Sequence, residues 1–527
     1  MRITASLITT LLALLTTACG SQPPGTAASA LADLRTRGER TDWMETSSHT
    51  EVVDFLSAAD EGSARAHLRT MGYTTEGRSI PLLVIGDVAD GSPEAVRASG
   101  KLRVYLQGDI HGGEVPGKEA LQMLVRDLLT GQTVDWTDEL VLLVNPIYNA
   151  DGNERVALGN RPRQHGPIGG MGQRPNAQGY DLNRDHMKLD SPEARSFAGM
   201  LNAYDPEVSV DLHTTNGTRH AYHLTYSPPL HPGAPDEVVN LLRDVAFPEI
   251  TSAIRAEDGW EFYYYGNASQ RNGELAWATF DHRPRFNNNY IGLRNRIAIL
   301  SEAYAYLTYE DRVRSTYRFV EEILDWARDD AAAIRDAVRE ADASVVGETL
   351  PTRAVPEPSD TLVTILMGDV AEERHPYTGA TILRRLDVVE PTQMREYGTF
   401  MASDTEVAPA RYFVPAEAAV ILDRLRAHGV ELRELNAPTT VEGEVFRISQ
   451  VDVAVRQFQG HNEHTVSGAW ASETIRLPAG THEIDVSQPL GRLAFYLLEP
   501  RSDDGLASWG LIPGLEAGGA FPVTRIR

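Results

Sequence analysis

The stretch that most constrains the fold is residues 101–129, KLRVYLQGDIHGGEVPGKEALQMLVRDLL. Val104, Tyr105 and Leu106 form a short apolar run of β-formers, which predicts a buried strand ending near Gln107. Beyond Pro116, Ala120, Leu121, Leu124, Val125, Leu128 and Leu129 recur three or four apart, the period of a helix with one buried face. Between strand and helix lies His111-Gly-Gly-Glu114. Its two glycines let the backbone turn tightly, so an imidazole and a carboxylate can leave one loop towards one point. Zinc takes such nitrogen and oxygen donors at about 2.0–2.2 Å and, where it is catalytic, keeps one position open for water.

The rest of the chain extends the alternation. Leu82–Ile85, Leu140–Val144, Val208–Leu212 and Ile297–Ser301 are further β-rich runs. Helical patterns lie near 116–129, 191–203, 235–256 and 311–340. Such alternation predicts an α/β fold with a mostly parallel or mixed sheet covered on both faces, its ligands at the carboxyl ends of strands. Residues 346–360 hold three prolines, Pro351, Pro356 and Pro358, and are expected to be a linker. Residues 361–440 read as a mixed α/β accessory region and 441–527 as a smaller β-rich C-terminal domain.

The N-terminus, MRITASLITTLLALLTTACGSQ, has Arg2, an apolar run and small residues before Cys19, the pattern of a secretory signal peptide over 1–18. Leu15-Thr16-Thr17-Ala18-Cys19 is similar to a bacterial lipoprotein box, with Thr16 where Leu is usual. The expectation is an exported protein of the cell envelope, periplasmic or at the cell surface, held to the membrane by lipid on Cys19 and spaced by a tether over 19–40. Cys19 is the only cysteine, so no internal disulfide is expected. A net charge of −25 argues against nucleic-acid binding, which needs a basic face.

His213, in VSVDLHTT, ends an apolar strand and adds a third ligand to His111 and Glu114. Two histidines, one glutamate and a water are a catalytic zinc arrangement, and one zinc per chain is expected. Glu302, in RIAILSEAYAY, also ends an apolar strand, where a carboxylate is costly without a task; it is the candidate base. Asn183 and Arg184, in GYDLNRDH, could grip a carboxylate, and Asp181 could accept the second N–H of a ligating histidine. Arg161 or Arg163 could stabilise a developing oxyanion.

These motifs, in the order His111/Glu114, Asn149-Ala-Asp-Gly152, Asn160-Arg-Pro-Arg163, Asp181-Leu-Asn-Arg184, His213 and Glu302, resemble the zinc carboxypeptidases of the carboxypeptidase A superfamily, here of an exported bacterial type. The resemblance implies a catalytic domain over 41–345 with a mixed eight-stranded sheet between helices. It implies that zinc sits on His111, Glu114 and His213 and that Glu302 is the base. It also implies that Asn183 and Arg184 hold a peptide's C-terminal carboxylate, and that Arg163 aids the oxyanion. The family's His-Ser-Tyr is His213-Thr-Thr here, and its substrate-covering tyrosine has two rival counterparts, Tyr265 and Tyr290, of which Tyr265 is taken. His165, His186, His220 and His223 are read as structural or supporting. The expected activity is removal of a C-terminal residue from a peptide substrate. A zinc amidase or deacylase acting on cell-wall peptides or N-acyl amino acids is the alternative. A non-catalytic peptide receptor is disfavoured, because a receptor has no need of Glu302.

Overall fold

The computed structural model describes residues 31–215 and 217–527. Ten strands precede residue 304: β1 Ala66–Tyr73, β2 Ser79–Ile85, β3 Leu102–Gly108, β4 Leu140–Asn145, β5 Val208–Thr214, β6 Leu224–Ser227, β7 Phe262–Tyr264, β8 Asn267–Arg271, β9 Glu274–Ala278 and β10 Ile297–Ala303. Eight of them make one mixed sheet in the order β1-β2-β4-β3-β5-β10-β6-β7. Its centre, β4-β3-β5-β10, is parallel, while β1, β2 and β6 join antiparallel neighbours. β4 and β5 are buried along their whole length, as parallel strands covered on both faces must be; β4 (LVLLVN) accordingly reads as an apolar run, whereas β5 (VSVDLHT) buries Ser209, Asp211 and His213 among its apolar residues.

The helices follow from local signals. Pro116 starts the helix Pro116–Thr130 at a position where the missing N–H has no cost, and Gly131 ends it in the left-handed conformation (φ 70°). Ser191 caps Pro192–Tyr204 by accepting from the Ala194 N–H at 3.1 Å. The pattern expected at 235–256 is a composite, Asp236–Asn240, a π turn at Leu241–Ala246, and Phe247–Asp258. The pattern at 311–340 divides into Tyr309–Asp329 and Ala331–Ala341.

Within the described part of the expected tether, Leu31 is buried against the helix His49–Gly62. Thr36 and Glu39 then form a capping box on the short helix Arg37–Arg40, and Glu39 accepts from Arg126 at 2.7 Å. Cys19 and the expected signal peptide lie outside the described residues. No described helix is long and apolar enough to cross a membrane.

Residues 346–360 are not a free linker. They contain β11, Thr349–Glu357, paired antiparallel with β16, Thr399–Val407. Pro351 and Pro356 are tolerated because this is a two-stranded ribbon, where a missing N–H breaks no central ladder. The accessory region is likewise joined to what precedes it. β12, Leu362–Met367, and β15, Glu390–Tyr397, extend β9 and β8 into a four-stranded sheet, with β15 parallel to β9. The hairpin of β13, Val370–Arg374, and β14, Thr381–Arg385, packs on the chain just after β10, through Val370 and Leu383 against Tyr304–Leu307.

The C-terminal sheet has six strands: β17 Arg411–Val414, β18 Arg433–Glu434, β19 Thr439–Val453, β20 His464–Leu477, β21 His482–Asp485 and β22 Ala520–Ile526, ordered β18-β21-β17-β22-β19-β20. One continuous apolar cluster runs from Tyr105 and Val141 of the main sheet through Phe197 and Leu201 to Tyr412 and Phe446 of this one. The two sheets share a core.

Candidate metal centre

Parallel register delivers the centre. β10 pairs with β5 so that Glu302 lies beside His213 at the carboxyl ends of both strands. β3, the next strand over, ends at Gly108, and the loop after it carries His111 and Glu114 to the same edge. Gly112 is required there, because a Cβ would collide with the backbone of Gly152 and Asn153.

The ligand atoms of His111, Glu114 and His213 lie within 4.8 Å of one another, and all three residues are buried. Glu114 Oε1 is 2.9 Å from His111 Nδ1, and Oε2 is 2.9 Å from His213 Nδ1. On the outer side, His111 Nε2 meets Asp181 Oδ1 at 3.0 Å and His213 Nε2 meets Asp211 Oδ2 at 2.7 Å. Each ring is therefore held by a carboxylate on Nε2 and presents Nδ1 inward, the arrangement that fixes tautomer and basicity in metal-ligating histidines. The buried His111 Nδ1 is out of line for a hydrogen bond. Burial alone would lower the His213 pKa, but Asp211 and Glu114 outweigh it and push it well above its ordinary value. Burial would raise Glu114, yet Arg161 and His111 hold it well below the usual carboxylate range. Two imidazole nitrogens and one carboxylate oxygen turned to one point are a donor set that suits zinc.

Glu302 has a buried Oε2 without a partner. Burial pushes its pKa up to about 8; His213 pulls it down, Glu114 raises it, and Arg174 and Arg161 lower it by less. Tyr265 stands close enough that the Glu302 charge, after burial, raises its pKa. Its hydroxyl accepts from Asn267 Nδ2 at 3.2 Å, and its ring meets Phe280 edge-on at 5.5 Å. Tyr290, the rival, is fully buried with its hydroxyl 2.9 Å from His428 Nδ1. It is a core residue.

Asp181 caps the turn Leu182–Arg184 by accepting from the Asn183 N–H at 2.9 Å, so the group that orients His111 also sets Asn183 and Arg184. Asn183 Oδ1 accepts from the Asn287 N–H at 2.8 Å. Arg184 is partly buried, lies 3.7 Å over the Phe286 ring and donates to the Asn183 carbonyl at 2.6 Å. It makes no ion pair among the described residues. Burial, then the cations of Arg174 and Arg285, hold its pKa below the ordinary value, with Asp181 opposing.

Arg163 is not at the centre. Its backbone is left-handed (φ 71°), its side chain is exposed and its carbonyl accepts from the Leu383 N–H at 2.8 Å. The reversal at Pro162–Arg163 leaves Arg161 turned inward, in ion contact with Glu114. A second arginine also reaches the centre. Arg174 is 2.8 Å from Asp181 Oδ2 and 3.6 Å from Glu114 Oε1. Of the four histidines read as structural, none joins the metal cluster. His165 pairs with Glu373 at 2.7 Å, and burial lowers His186 to about 4, His220 to about 3 and His223 to about 4.

Sequence reasoning missed Asp211, Arg174 and Gln459. Asp211 is two residues before His213 on one strand, hence on the same face, and that spacing is a usable signal. Gln459 comes from the loop between β19 and β20, where its Oε1 accepts from the Asp181 N–H at 2.8 Å. Nothing in sequence links positions so far apart.

Residues 52–227 match the family model described as zinc carboxypeptidase. Carboxypeptidase 2 of Trichophyton equinum is 25% identical over 471 residues, covering 86% of this chain and 81% of that protein. Carboxypeptidase E of Caenorhabditis elegans is 36% identical over 137 residues, covering 24% of this chain and 26% of that one. Among solved structures, carboxypeptidase A from Helicoverpa armigera matches with a TM-score of 0.40 and 15% identity, over 60% of this chain and 80% of that chain. The first two relatives are fungal and nematode proteins, so the bacterial, exported character expected from the N-terminus rests on that terminus alone.

Proposed function

We propose that this chain, whose residues 52–227 match the zinc carboxypeptidase model and which is similar along most of its length to fungal carboxypeptidase 2, is a peptidase that removes one residue from the C-terminus of a peptide. The observation that carries this reading is Arg184, a partly buried cation without an ion pair among the described residues, set beside Asn183 on the same turn whose Asp181 orients His111. An enzyme cutting within a chain has no use for an unpaired cation there, whereas a free terminal carboxylate supplies its missing partner.

His111, Glu114 and His213 would hold zinc, which when bound acidifies water and polarises a carbonyl oxygen. The chain's own residues do the rest. Asn183 and Arg184 grip the terminal carboxylate and so set the scissile carbonyl against Glu302. Glu302 takes the proton of the attacking water on its carboxylate and passes it to the leaving amine nitrogen. Arg174, anchored by Asp181 and beside Glu114, is placed to donate to the carbonyl oxygen as it gains charge, the part first expected of Arg163. Tyr265, near Glu302, would lie against the bound substrate.

The test compares one peptide as free acid and as C-terminal amide. Losing one partner of a charge-assisted, partly desolvated pair costs about 2–5 kcal/mol, or roughly 30- to 5,000-fold in kcat/KM. The free acid should be cleaved faster by that factor, and Arg184→Ala should erase the difference by slowing the acid alone. Equal rates for acid and amide on the unaltered enzyme would instead favour the amidase reading.

The same proposal includes an exported, lipid-anchored protein, supported by the apolar run and Cys19. Cys19→Ala should move the full chain from the membrane fraction to the soluble one. A variant that stays membrane-bound through a salt wash rejects the anchor.

A further inference from the structure

Beside the metal centre a cavity of about 190 Å³ lies between the loop at 158–171 and residues 375–382 of the β13–β14 hairpin. None of Asn183, Arg184 and Tyr265 lines it. Its ionisable lining groups are Arg161, Arg163 and His375, with no carboxylate. That is notable in a chain where Asp and Glu outnumber Lys and Arg by 74 to 49. Arg161 is nine-tenths buried; one end of its guanidinium touches Glu114, while its Nε is buried with no hydrogen-bond partner. Arg163 is exposed at the mouth and makes no ion pair among the described residues. The wall opposite is fixed, because Leu383 donates to the Arg163 carbonyl at 2.8 Å and His165 meets Glu373 at 2.7 Å.

We infer that this cavity is a subsite for an acidic side chain of the peptide, on the N-terminal side of the bond that is cut. The inference rests on the carboxypeptidase reading. A carboxypeptidase substrate has one residue beyond the scissile bond, and its carboxylate belongs to Arg184. A cationic cavity that adjoins the centre through Arg161, which touches Glu114, and that shares no lining with Arg184 therefore meets the part of the peptide that precedes the bond. Arg163 offers a planar fork matched to a carboxylate, and Arg161 adds a cation whose burial leaves it poorly solvated. The accessory hairpin thus becomes part of substrate recognition, since without residues 375–382 the cavity has one wall.

The test uses zinc-loaded, full-length protein carrying Glu302→Gln, so that peptides bind without being consumed. A set of peptides shares one C-terminal residue and carries Glu or Gln at each of the three preceding positions. At one of these positions Glu should bind about tenfold more tightly than Gln, the scale of a hydrogen bond to a charged group. Arg163→Ala added to this background should abolish that preference, and Arg163→Glu should reverse it, with the affinity for the Gln peptide unchanged. Equal binding of Glu and Gln at all three positions overturns the subsite, as does a preference that survives Arg163→Ala. The carboxypeptidase reading fails separately, through the acid and amide rates of the unaltered enzyme, while the binding preference is still read.

Discussion

Replacing Glu302 by Gln is expected to lower kcat by about 10²- to 10⁴-fold while leaving zinc content and peptide affinity close to those of the unaltered enzyme. The amide keeps the size of the carboxyl group and its place beside His213 in the β5–β10 register, so the sheet and the ligand set are not disturbed. What is lost is an acceptor for the water's proton, worth about 2.7–5.4 kcal/mol of barrier at those rates. The pH profile gives a second signature. The base works as a carboxylate, present above its pKa and lost as pH falls through it. Burial pushes that pKa up to about 8 without a cation, and a bound cation draws it down. The acidic limb of kcat/KM should therefore lie below pH 8 in the zinc enzyme and be absent from the residual activity of Glu302→Gln. Turnover near that of the unaltered enzyme would make Glu302 a structural residue.

His213→Ala, or His111→Ala, is expected to abolish turnover together with metal binding. Either change leaves two protein ligands where a catalytic zinc site uses three. It also leaves Glu114 buried at 2% exposure with one of its two imidazole partners gone. Asp211→Asn separates ligation from orientation. It preserves all three ligands but weakens the hold on His213 Nε2, and metal affinity should fall about 10- to 100-fold with activity recoverable at high zinc. Metal content by atomic emission and activity across a zinc titration check both. One full equivalent of tightly held zinc in His213→Ala would reject the ligand set.

The C-terminal region enters the same chemistry through few contacts. Gln459 supports the backbone of Asp181, and the Asp190–His461 contact at 2.6 Å ties the segment after Arg184 to the same loop. Because the two sheets share one core, this region is part of the body that holds the site, rather than a module on a linker.

What the sequence determined by itself is what local chemistry carries. Short runs rich in β-formers marked the buried parallel strands, Pro116 and the apolar stripe marked the helix after the metal loop, and a glycine pair marked the turn that lets His111 and Glu114 share one point. The position of His213 and Glu302 at strand ends was legible for the same reason, since a polar group closing an apolar strand has to emerge at the sheet's edge. Tertiary structure alone decided the rest. Whether Arg161, Arg163 or Arg174 faces Glu114 depends on a left-handed turn at Arg163 and on Asp181 anchoring Arg174, neither of which is visible in residue type. Tyr265 and Tyr290 are alike as letters, and packing against His428 removed one of them to the core. The prolines of 346–360 signalled a break in regular structure, but pairing with β16 made that segment a strand, because a ribbon edge tolerates what a central ladder does not. The cationic cavity depends on two segments about 200 residues apart meeting through a backbone hydrogen bond, which carries no sequence signature at all.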